Sequence, residues 1–378
     1  MNLNLNSSDL EAALKVVRTT VGSSSDISSH YVFRTRDEGL EVLSYDGSAF
    51  SSCLVPHTKV EETVSFTVEA RRLHAILATV GSYQVLDIQV SESGVGIRTA
   101  RGKPVPFYSL DPTLFPFWDD VLAGAKLTVK VAADRLFAAF THAKQFIFDQ
   151  ESKAPHLCVA EFRKGILYST DNAGVSLVKM PGMEASSLRV YVKDLGNVLS
   201  FLATAKGQDV ELLESDRASF IRRADGAVFG ETVFAHRFPD FPVDWSLEDD
   251  QSWGIFQEEL LGSLKLLQSG AKTDEPRVRF QHMKLTGPGE LVISMTDPSG
   301  KLMSQSIPMV DFVQREGGVQ DMPVFAVADS YIVKLLNGND NTKVTLGVTK
   351  REKGGWVRVR DVRGVDTYLT TLAWLKLA

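Results

Sequence analysis

The side chains that could perform covalent or metal chemistry are scattered along this chain. Seven histidines include a single His-x-Cys neighbour pair, His156 and Cys158, and none stands in a His-Glu-x-x-His zinc pattern. The Ser269-Gly-Ala-Lys272-Thr273 stretch resembles a phosphate loop, but it lacks the first glycine and follows a predicted helix instead of a strand. Neither Gly-x-Ser-x-Gly nor Gly-x-Gly-x-x-Gly occurs. The sequence therefore predicts no catalytic residue, metal or cofactor, although a catalytic carboxylate pair would be invisible in one sequence.

The composition is that of an ordinary folded protein. Of 378 residues, 44% are hydrophobic and 23% charged, which excludes a disordered chain, a collagen-like chain and a coiled-coil rod. No apolar run is long enough to cross a bilayer and no signal peptide begins the chain, so we expect no membrane partner. Cys53 and Cys158 are predicted to be buried, reduced thiols, so we expect a cytoplasmic protein. The net charge of −6, taken alone, argues mildly against a nucleic-acid-binding protein.

The elements that would position any site recur along the chain with a period near 125 residues. Amphipathic helices are predicted by apolar residues at four-residue spacing, beginning at Leu10, Leu136 and Leu260 and continuing at Leu14, Phe140 and Leu264. A second helix follows in each repeat, aligned at Leu73, Leu195 and Ile332. Alternating apolar and polar residues before and after each second helix predict strands. Each repeat thus consists of two similar halves.

A strand, an acidic turn and a second strand lie between the paired helices of each repeat. The turn aspartates are Asp46, Asp171 and Asp297, 125 and 126 residues apart. Asp-Gly, Asp-Asn and Asp-Pro are turn formers, so we interpret these aspartates as turn residues.

Two aromatic and proline-rich stretches mark the ends of the repeats. They read Leu114-Phe-Pro-Phe-Trp118 and Arg237-Phe-Pro-Asp-Phe. Proline there ends sheet pairing and stiffens the crossing chain. The predicted domains are residues 1–125, 126–248 and 249–378.

The order of these repeats, the Thr170-Asp171 turn and Arg237-Phe-Pro-Asp-Phe together resemble the β-type sliding clamp, the processivity subunit of bacterial replicative DNA polymerase. The resemblance covers the whole length and implies an α+β fold of three tandem clamp domains, each with two helices packed on antiparallel sheets. It implies a non-catalytic accessory subunit that encircles duplex DNA.

This sequence also departs from the family pattern. Asn172-Ala-Gly follows Thr-Asp where the family has Gly-His-Arg-Leu, and the C-terminal strand lacks the family's Met-Pro-Met. Residues 310–322 read as a longer loop than their counterparts. These departures indicate a distant or phage-type member whose partner pocket is altered.

In the family the helices face the DNA, so charge on the helices is the informative quantity. The six predicted helical segments, residues 8–21, 69–79, 132–147, 192–206, 257–272 and 328–336, sum to +3 in a chain of −6. Sliding requires weak, sequence-independent phosphate contacts, which a weakly positive lining would supply. The candidate DNA-binding residues are Arg18, Arg71, Arg72, Lys144, Lys193 and Lys265.

The resemblance also implies an apolar cleft between the second and third domains that binds a short partner peptide. Matched by motif, its residues are Thr170, Val175, Leu177, Pro239, Val243, Leu369, Thr371 and Leu372. Aliphatic walls suit apolar peptide anchors, with strand-like backbone bonding beside them.

The implied partners are double-stranded DNA without sequence preference, the replicative polymerase, a clamp loader and a second copy of the chain. Three repeats favour a head-to-tail homodimer that closes a ring, first domain against third. Two alternatives stay open from the sequence, namely a structural multidomain β-rich protein and a hydrolase of unrecognised type.

Overall fold

The architecture is taken from a computed structural model. It describes residues 2–24, 26–58, 63–80, 84–91, 94–99, 102–233, 236, 238, 249–271, 277–283, 289–316, 325–337, 343–351, 354–363 and 365–376. The chain divides into two compact units of two segments each. The first unit holds Met1–Ala138 and Ala185–Ala235, and the second holds Ala139–Glu184 and His236–Ala378. In the described residues, no helix is long and apolar enough to cross a membrane.

Seven α-helices occur among the described residues. They are α1 (Ser7–Val17), α2 (Ala70–Leu77), α3 (Asp119–Gly124), α4 (Ala133–Lys144), α5 (Leu195–Thr204), α6 (Gln257–Gly270) and α7 (Asp329–Asn337). Short 3₁₀ turns occur at Arg18–Thr20, Ile27–Ser29, Pro112–Leu114 and Pro155–Leu157.

The strands up to residue 232 are β1 (Asn2–Asn6), β2 (His30–Arg36), β3 (Gly39–Tyr45), β4 (Ala49–Leu54), β5 (Ser65–Glu69), β6 (Val85–Ser91), β7 (Gly94–Thr99), β8 (Val105–Phe107), β9 (Lys126–Ala132), β10 (Val159–Arg163), β11 (Ile166–Thr170), β12 (Gly174–Lys179), β13 (Arg189–Tyr191), β14 (Asp209–Glu214), β15 (Ala218–Arg223) and β16 (Val228–Thr232). Those after it are β17 (Gln251–Phe256), β18 (Arg277–Met283), β19 (Glu290–Thr296), β20 (Leu302–Pro308), β21 (Asp311–Gln314), β22 (Phe325–Ala328), β23 (Lys343–Arg351), β24 (Gly354–Arg363) and β25 (Asp366–Lys376).

All six helices predicted from apolar spacing are present. Helix α1 begins after Asn6, whose side-chain oxygen accepts a hydrogen bond from the Ser8 backbone N–H at 3.1 Å and so satisfies a free helix donor. Its buried face includes Leu10 and Leu14, the residues that define the repeat. Burying each leucine contributes about 1.5–3 kcal/mol, and this packing stabilises so short a helix more than its intrinsic propensity does.

The first unit contains two antiparallel sheets. One has eight strands in the order β5-β2-β3-β4-β16-β15-β14-β9, and the other has four in the order β1-β6-β7-β8. The eight-stranded sheet is continuous because β4 pairs with β16, with Ala49 opposite Glu231 and Ser52 opposite Val228. Strand β8 is an outer strand of its sheet.

In the second unit the same junction is repeated. The hairpin β11–β12 pairs with β25, which continues through β24 and β23 to β17. Strand β25 also pairs with β22 at Leu375 and Lys376, and β18, β19 and β20 follow β22 in order, with β20 as the outer strand. The buried core of this unit joins α6 and α7 to these strands through residues such as Trp253, Leu264 and Ile332.

Two local expectations changed. Part of the loop predicted at 310–322 is strand β21. This strand pairs with β17 in an antiparallel register that places Trp253 opposite Phe312. Helix α3 was not predicted, since six residues are too few for apolar periodicity to show. Cys53 and Cys158 are buried free thiols, as predicted.

Candidate functional site

The turn of the middle hairpin, between β11 and β12, is held by several hydrogen bonds. Thr170 is fully buried, and its hydroxyl donates to the Gly174 carbonyl at 2.7 Å and accepts from the Asn172 N–H at 3.1 Å. Asn172 has a φ of +75°, a left-handed conformation that asparagine tolerates better than most residues. Thr170 therefore holds the turn rigid, and the predicted turn role of Asp171 is confirmed by its bonds to the Ala173 and Gly174 N–H groups at 3.1 and 2.9 Å.

Strand pairing brings together pocket candidates that are distant in sequence. In the β12–β25 register, Val175 lies opposite Thr371, Leu177 opposite Leu369, and Gly174 opposite Leu372. Val175 and Leu177 form a buried apolar cluster with the partly buried Ile166 and Tyr168. Six of the eight pocket candidates thus lie on adjoining strands β11, β12 and β25.

The other two pocket candidates, Pro239 and Val243, lie outside the described residues. Their described neighbour Phe238 is buried beside the same hairpin. Its N–H donates to Glu161 Oε2 at 3.1 Å, its carbonyl accepts from the Arg163 guanidinium, and its ring lies 6.2 Å from that of Tyr168. The start of the Phe-Pro-Asp stretch is therefore fastened to β10 and β11.

The Asp171 turn is also bonded to helix α7. Oδ2 of Asp171 accepts from the Lys334 ammonium at 3.2 Å, and that ammonium lies 4.9 Å from the Tyr331 ring centre. Burial, then the charge and hydrogen bond of Asp171, raises the pKa of Tyr331. Sequence reasoning missed this link, since the recurrence of the aspartates signalled only the turn.

The first unit contains a corresponding junction at Asp46. Its Oδ2 accepts from the Asn197 side-chain amide at 3.0 Å, and the Ser48 hydroxyl donates to Asp194 Oδ1 at 2.9 Å. Burial raises the pKa of Asp194 to about 6, with the Ser48 hydrogen bond opposing and the Asp46 charge adding to the shift. The junction therefore holds a carboxyl group that titrates near neutrality.

A second buried carboxyl group lies in the same junction. Glu231 on β16 accepts from the Tyr191 N–H at 2.8 Å, and among the described residues its Oε2 and Asp194 Oδ2 are buried without a hydrogen-bond partner. Burial and then the Asp194 charge raise the pKa of Glu231 well above its ordinary value. Protonation lowers the cost of burying such a pair. Among the described residues, no group of three or more His, Cys, Asp or Glu side chains could hold a metal ion.

The six DNA-binding candidates are all exposed, on or beside helices. Arg18 follows α1, Arg71 and Arg72 lie in the first turn of α2, Lys144 ends α4, Lys193 precedes α5, and Lys265 lies on α6. Burial and then the Arg18 charge lower the pKa of His74 on α2. In the first unit, α1 also packs against α5. The helices beside Arg18 and Lys193 are therefore in contact within the first unit.

Comparisons with known proteins identify the fold. No protein-family model matches the sequence, and no curated protein matches it. Among solved structures, the DNA polymerase III subunit beta from Pseudomonas aeruginosa has 15% sequence identity and a TM-score of 0.81, with all of both chains covered. The beta subunit from Thermotoga maritima and the DNA polymerase sliding clamp from Bacillus subtilis have 13% and 14% identity, each with a TM-score of 0.79 and full coverage of both chains. The chain therefore has the α+β sliding-clamp fold over its whole length, as the resemblance implied.

Proposed function

We propose that this chain, whose fold is that of the bacterial sliding clamp, is itself a DNA sliding clamp and acts as a processivity factor. The observation that carries the proposal is the full-length match to several clamps at TM-scores of 0.79–0.81. A partial match would leave room for a different assembly, whereas this one includes every repeated element. The proposed place of action is the cytoplasm, where chromosomal DNA is copied.

The proposed DNA contacts are electrostatic and non-catalytic. The exposed cations beside the helices would meet phosphates without reading bases, which lets the protein slide. The acidic remainder of a chain of net charge −6 limits non-specific affinity. Such a protein needs no catalytic residue, so its role is that of an accessory subunit of the polymerase.

The proposed partner site is the apolar cleft beside the β12–β25 pairing. Backbone register places Val175 and Leu177 next to the C-terminal strand that carries Leu369, Thr371 and Leu372. A short peptide with apolar anchors would bind there and tether the polymerase, and a clamp loader would use the same kind of contact. The division into domains 1–125, 126–248 and 249–378 is part of this proposal.

The proposed ring consists of two copies joined head to tail. Strands β4 and β12 each pair with a strand of the following repeat, β16 and β25 respectively. The corresponding third-repeat strand, β20, and the first-repeat strand β8 are outer strands of their sheets. Pairing β20 of one copy with β8 of the next would repeat the same junction and close two chains into a ring.

The decisive experiment is primer extension on singly primed circular DNA. The replicative polymerase and clamp loader of the source cell are assayed with and without the purified chain. A clamp lengthens the products made in one binding event, and linearising the circle releases the chain from the DNA. Products of unchanged length, or equal retention on circular and linear DNA, would overturn the proposal.

A further inference from the structure

The three turn aspartates use one carboxylate oxygen in the same way. Oδ1 of Asp46 accepts from the Ser48 and Ala49 N–H groups at 3.0 and 2.9 Å. Oδ1 of Asp297 accepts from the Ser299 and Lys301 N–H groups at 2.9 and 2.8 Å. Asp171 makes the corresponding pair of bonds in the middle repeat. In each turn, Oδ2 is left available for a second partner.

In the first two repeats, that partner belongs to the second helix of the next repeat. Oδ2 of Asp46 accepts from Asn197 on α5, and Oδ2 of Asp171 accepts from Lys334 on α7. The residue three positions before each partner also contacts the turn. Asp194 accepts from Ser48, and Tyr331 is hydrogen-bonded to Asp171. In each junction, an aspartate turn is thus hydrogen-bonded to one helix.

The third turn has no such partner within the described part of the chain. Asp297 is partly exposed, and no hydrogen bond to its Oδ2 occurs among the described residues. Its pKa is lowered, first by the Ser299 hydroxyl, so the carboxylate is ionised at neutral pH. This ionised oxygen lies beside the outer strand β20.

The helix that corresponds to α5 and α7 in the first repeat is α2. Aligning Leu73 with Leu195 and Ile332 places Arg72 at the position of Asp194 and Tyr331, the residues that face the turn. Arg72 is exposed, and its guanidinium lies 5.1 Å from the ring centre of Phe107 on the outer strand β8. The stacking holds a positive charge next to β8, which pairs with β7 alone among the described strands.

We propose that Arg72 of one copy forms an ion pair with Asp297 of a second copy and so stabilises the β8–β20 junction. The inference rests on the proposed two-copy ring and adds the residues that hold it closed. It moves Arg72 from the predicted DNA surface to the subunit interface. Arg72 is exposed and Asp297 is partly exposed, so we expect this subunit contact to weaken as ionic strength rises.

The test measures the rate at which subunits exchange between copies labelled with two different dyes. The variants are Arg72→Glu, Asp297→Arg and the double variant with both changes. Arg71→Glu is the matched control, because Arg71 is the neighbouring exposed arginine on the same helix. Each single reversal places like charges in both junctions of the ring, so we expect exchange to accelerate by about 10- to 100-fold. The double variant restores opposite charges and should exchange within about threefold of the original chain.

Several outcomes distinguish the ion-pair proposal from the ring proposal. If the unmodified chain sediments as a dimer and the single variants exchange no faster than Arg71→Glu, the ion-pair proposal is wrong and the ring proposal stands. If the double variant exchanges as fast as the singles, direct pairing is likewise wrong. If the unmodified chain is a monomer at micromolar concentration, both proposals fail. Circular dichroism establishes that each variant is folded.

Discussion

The ammonium of Lys334 lies 3.2 Å from Oδ2 of Asp171, and this ion pair joins the middle hairpin to a helix 163 residues further along the chain. Asp171 is nearly buried, whereas Lys334 is about half exposed. The pair therefore joins a carboxylate whose burial costs free energy to a partly solvated cation. Its position beside the proposed peptide cleft means that it supports the turn on which the cleft depends.

Replacing Lys334 by Met should destabilise the second unit. The change leaves the Asp171 carboxylate without its cation, and screening of the exposed ammonium limits the loss to about 1 kcal/mol. Thermal unfolding followed by circular dichroism measures the effect. Lys206→Met, an exposed lysine in a turn, is the control and should leave the free energy of unfolding nearly unchanged. Equal stability of the two variants would contradict the structural role of the pair.

Stability should fall as pH rises through the pKa range of the buried pair Asp194 and Glu231. Their pKa values are raised in the folded state, to about 6 for Asp194. The folded chain therefore binds more protons than the unfolded chain between about pH 4 and the folded pKa values, and each unit of pH there lowers stability. The two groups interact, so they titrate as a coupled pair.

Glu231→Gln should remove much of this slope. The neutral amide keeps an acceptor for the Tyr191 N–H and needs no proton, so stability at pH 8 should rise by about 1 kcal/mol. The midpoint of thermal unfolding, measured from pH 5 to pH 9, checks this expectation. Glu38→Gln, an exposed turn residue, is the control and should keep the original slope. A Glu231→Gln profile parallel to that of the original chain would contradict the assignment.

Reversing the charges of Arg18, Arg71, Lys144, Lys193 and Lys265 to glutamate should shorten retention on circular DNA. Fewer phosphates would be neutralised, so the dependence of retention on salt concentration should also become weaker. The matched control reverses five exposed lysines outside the helices, Lys126, Lys130, Lys153, Lys164 and Lys179. That control changes the net charge equally. If both variants lose retention to the same extent, total charge is responsible and the helix assignment is wrong.

Periodicity located the helices and the acidic turns because those features depend on neighbours in sequence. Apolar spacing around Leu10 and Leu136 was enough to predict α1 and α4. Apolar spacing could not predict the junctions, since Asp46 is hydrogen-bonded to Asn197, which lies 151 residues further along the chain. The β12–β25 pairing joins segments nearly 200 residues apart, and the family resemblance predicted only that residues of both segments line one cleft. Helix α3 and strand β21 were missed because they are too short to show a period.

Removing residues 371–378 should abolish polymerase binding while leaving the ring intact. The deletion removes the part of β25 that pairs with Gly174 and Val175, and with it Thr371 and Leu372 of the proposed cleft. The deletion also removes the pairing of Leu375 and Lys376 with β22, but the proposed subunit contact uses β8 and β20, whose own strand partners are β7 and β19. Co-elution with the replicative polymerase in size-exclusion chromatography measures binding, and sedimentation of the truncated chain alone measures the dimer.

A point variant separates loss of the cleft from loss of the sheet. Leu372→Glu keeps the backbone pairing with Gly174 but places a charge among the proposed peptide contacts, where burying it would be costly. Val313→Glu is the control, because that exposed apolar side chain lies on β21, away from the hairpin. We expect the Leu372 variant to lose polymerase binding at least tenfold with a normal dimer mass. Polymerase binding by both the truncated chain and the Leu372 variant would show that the partner site lies elsewhere on the molecule.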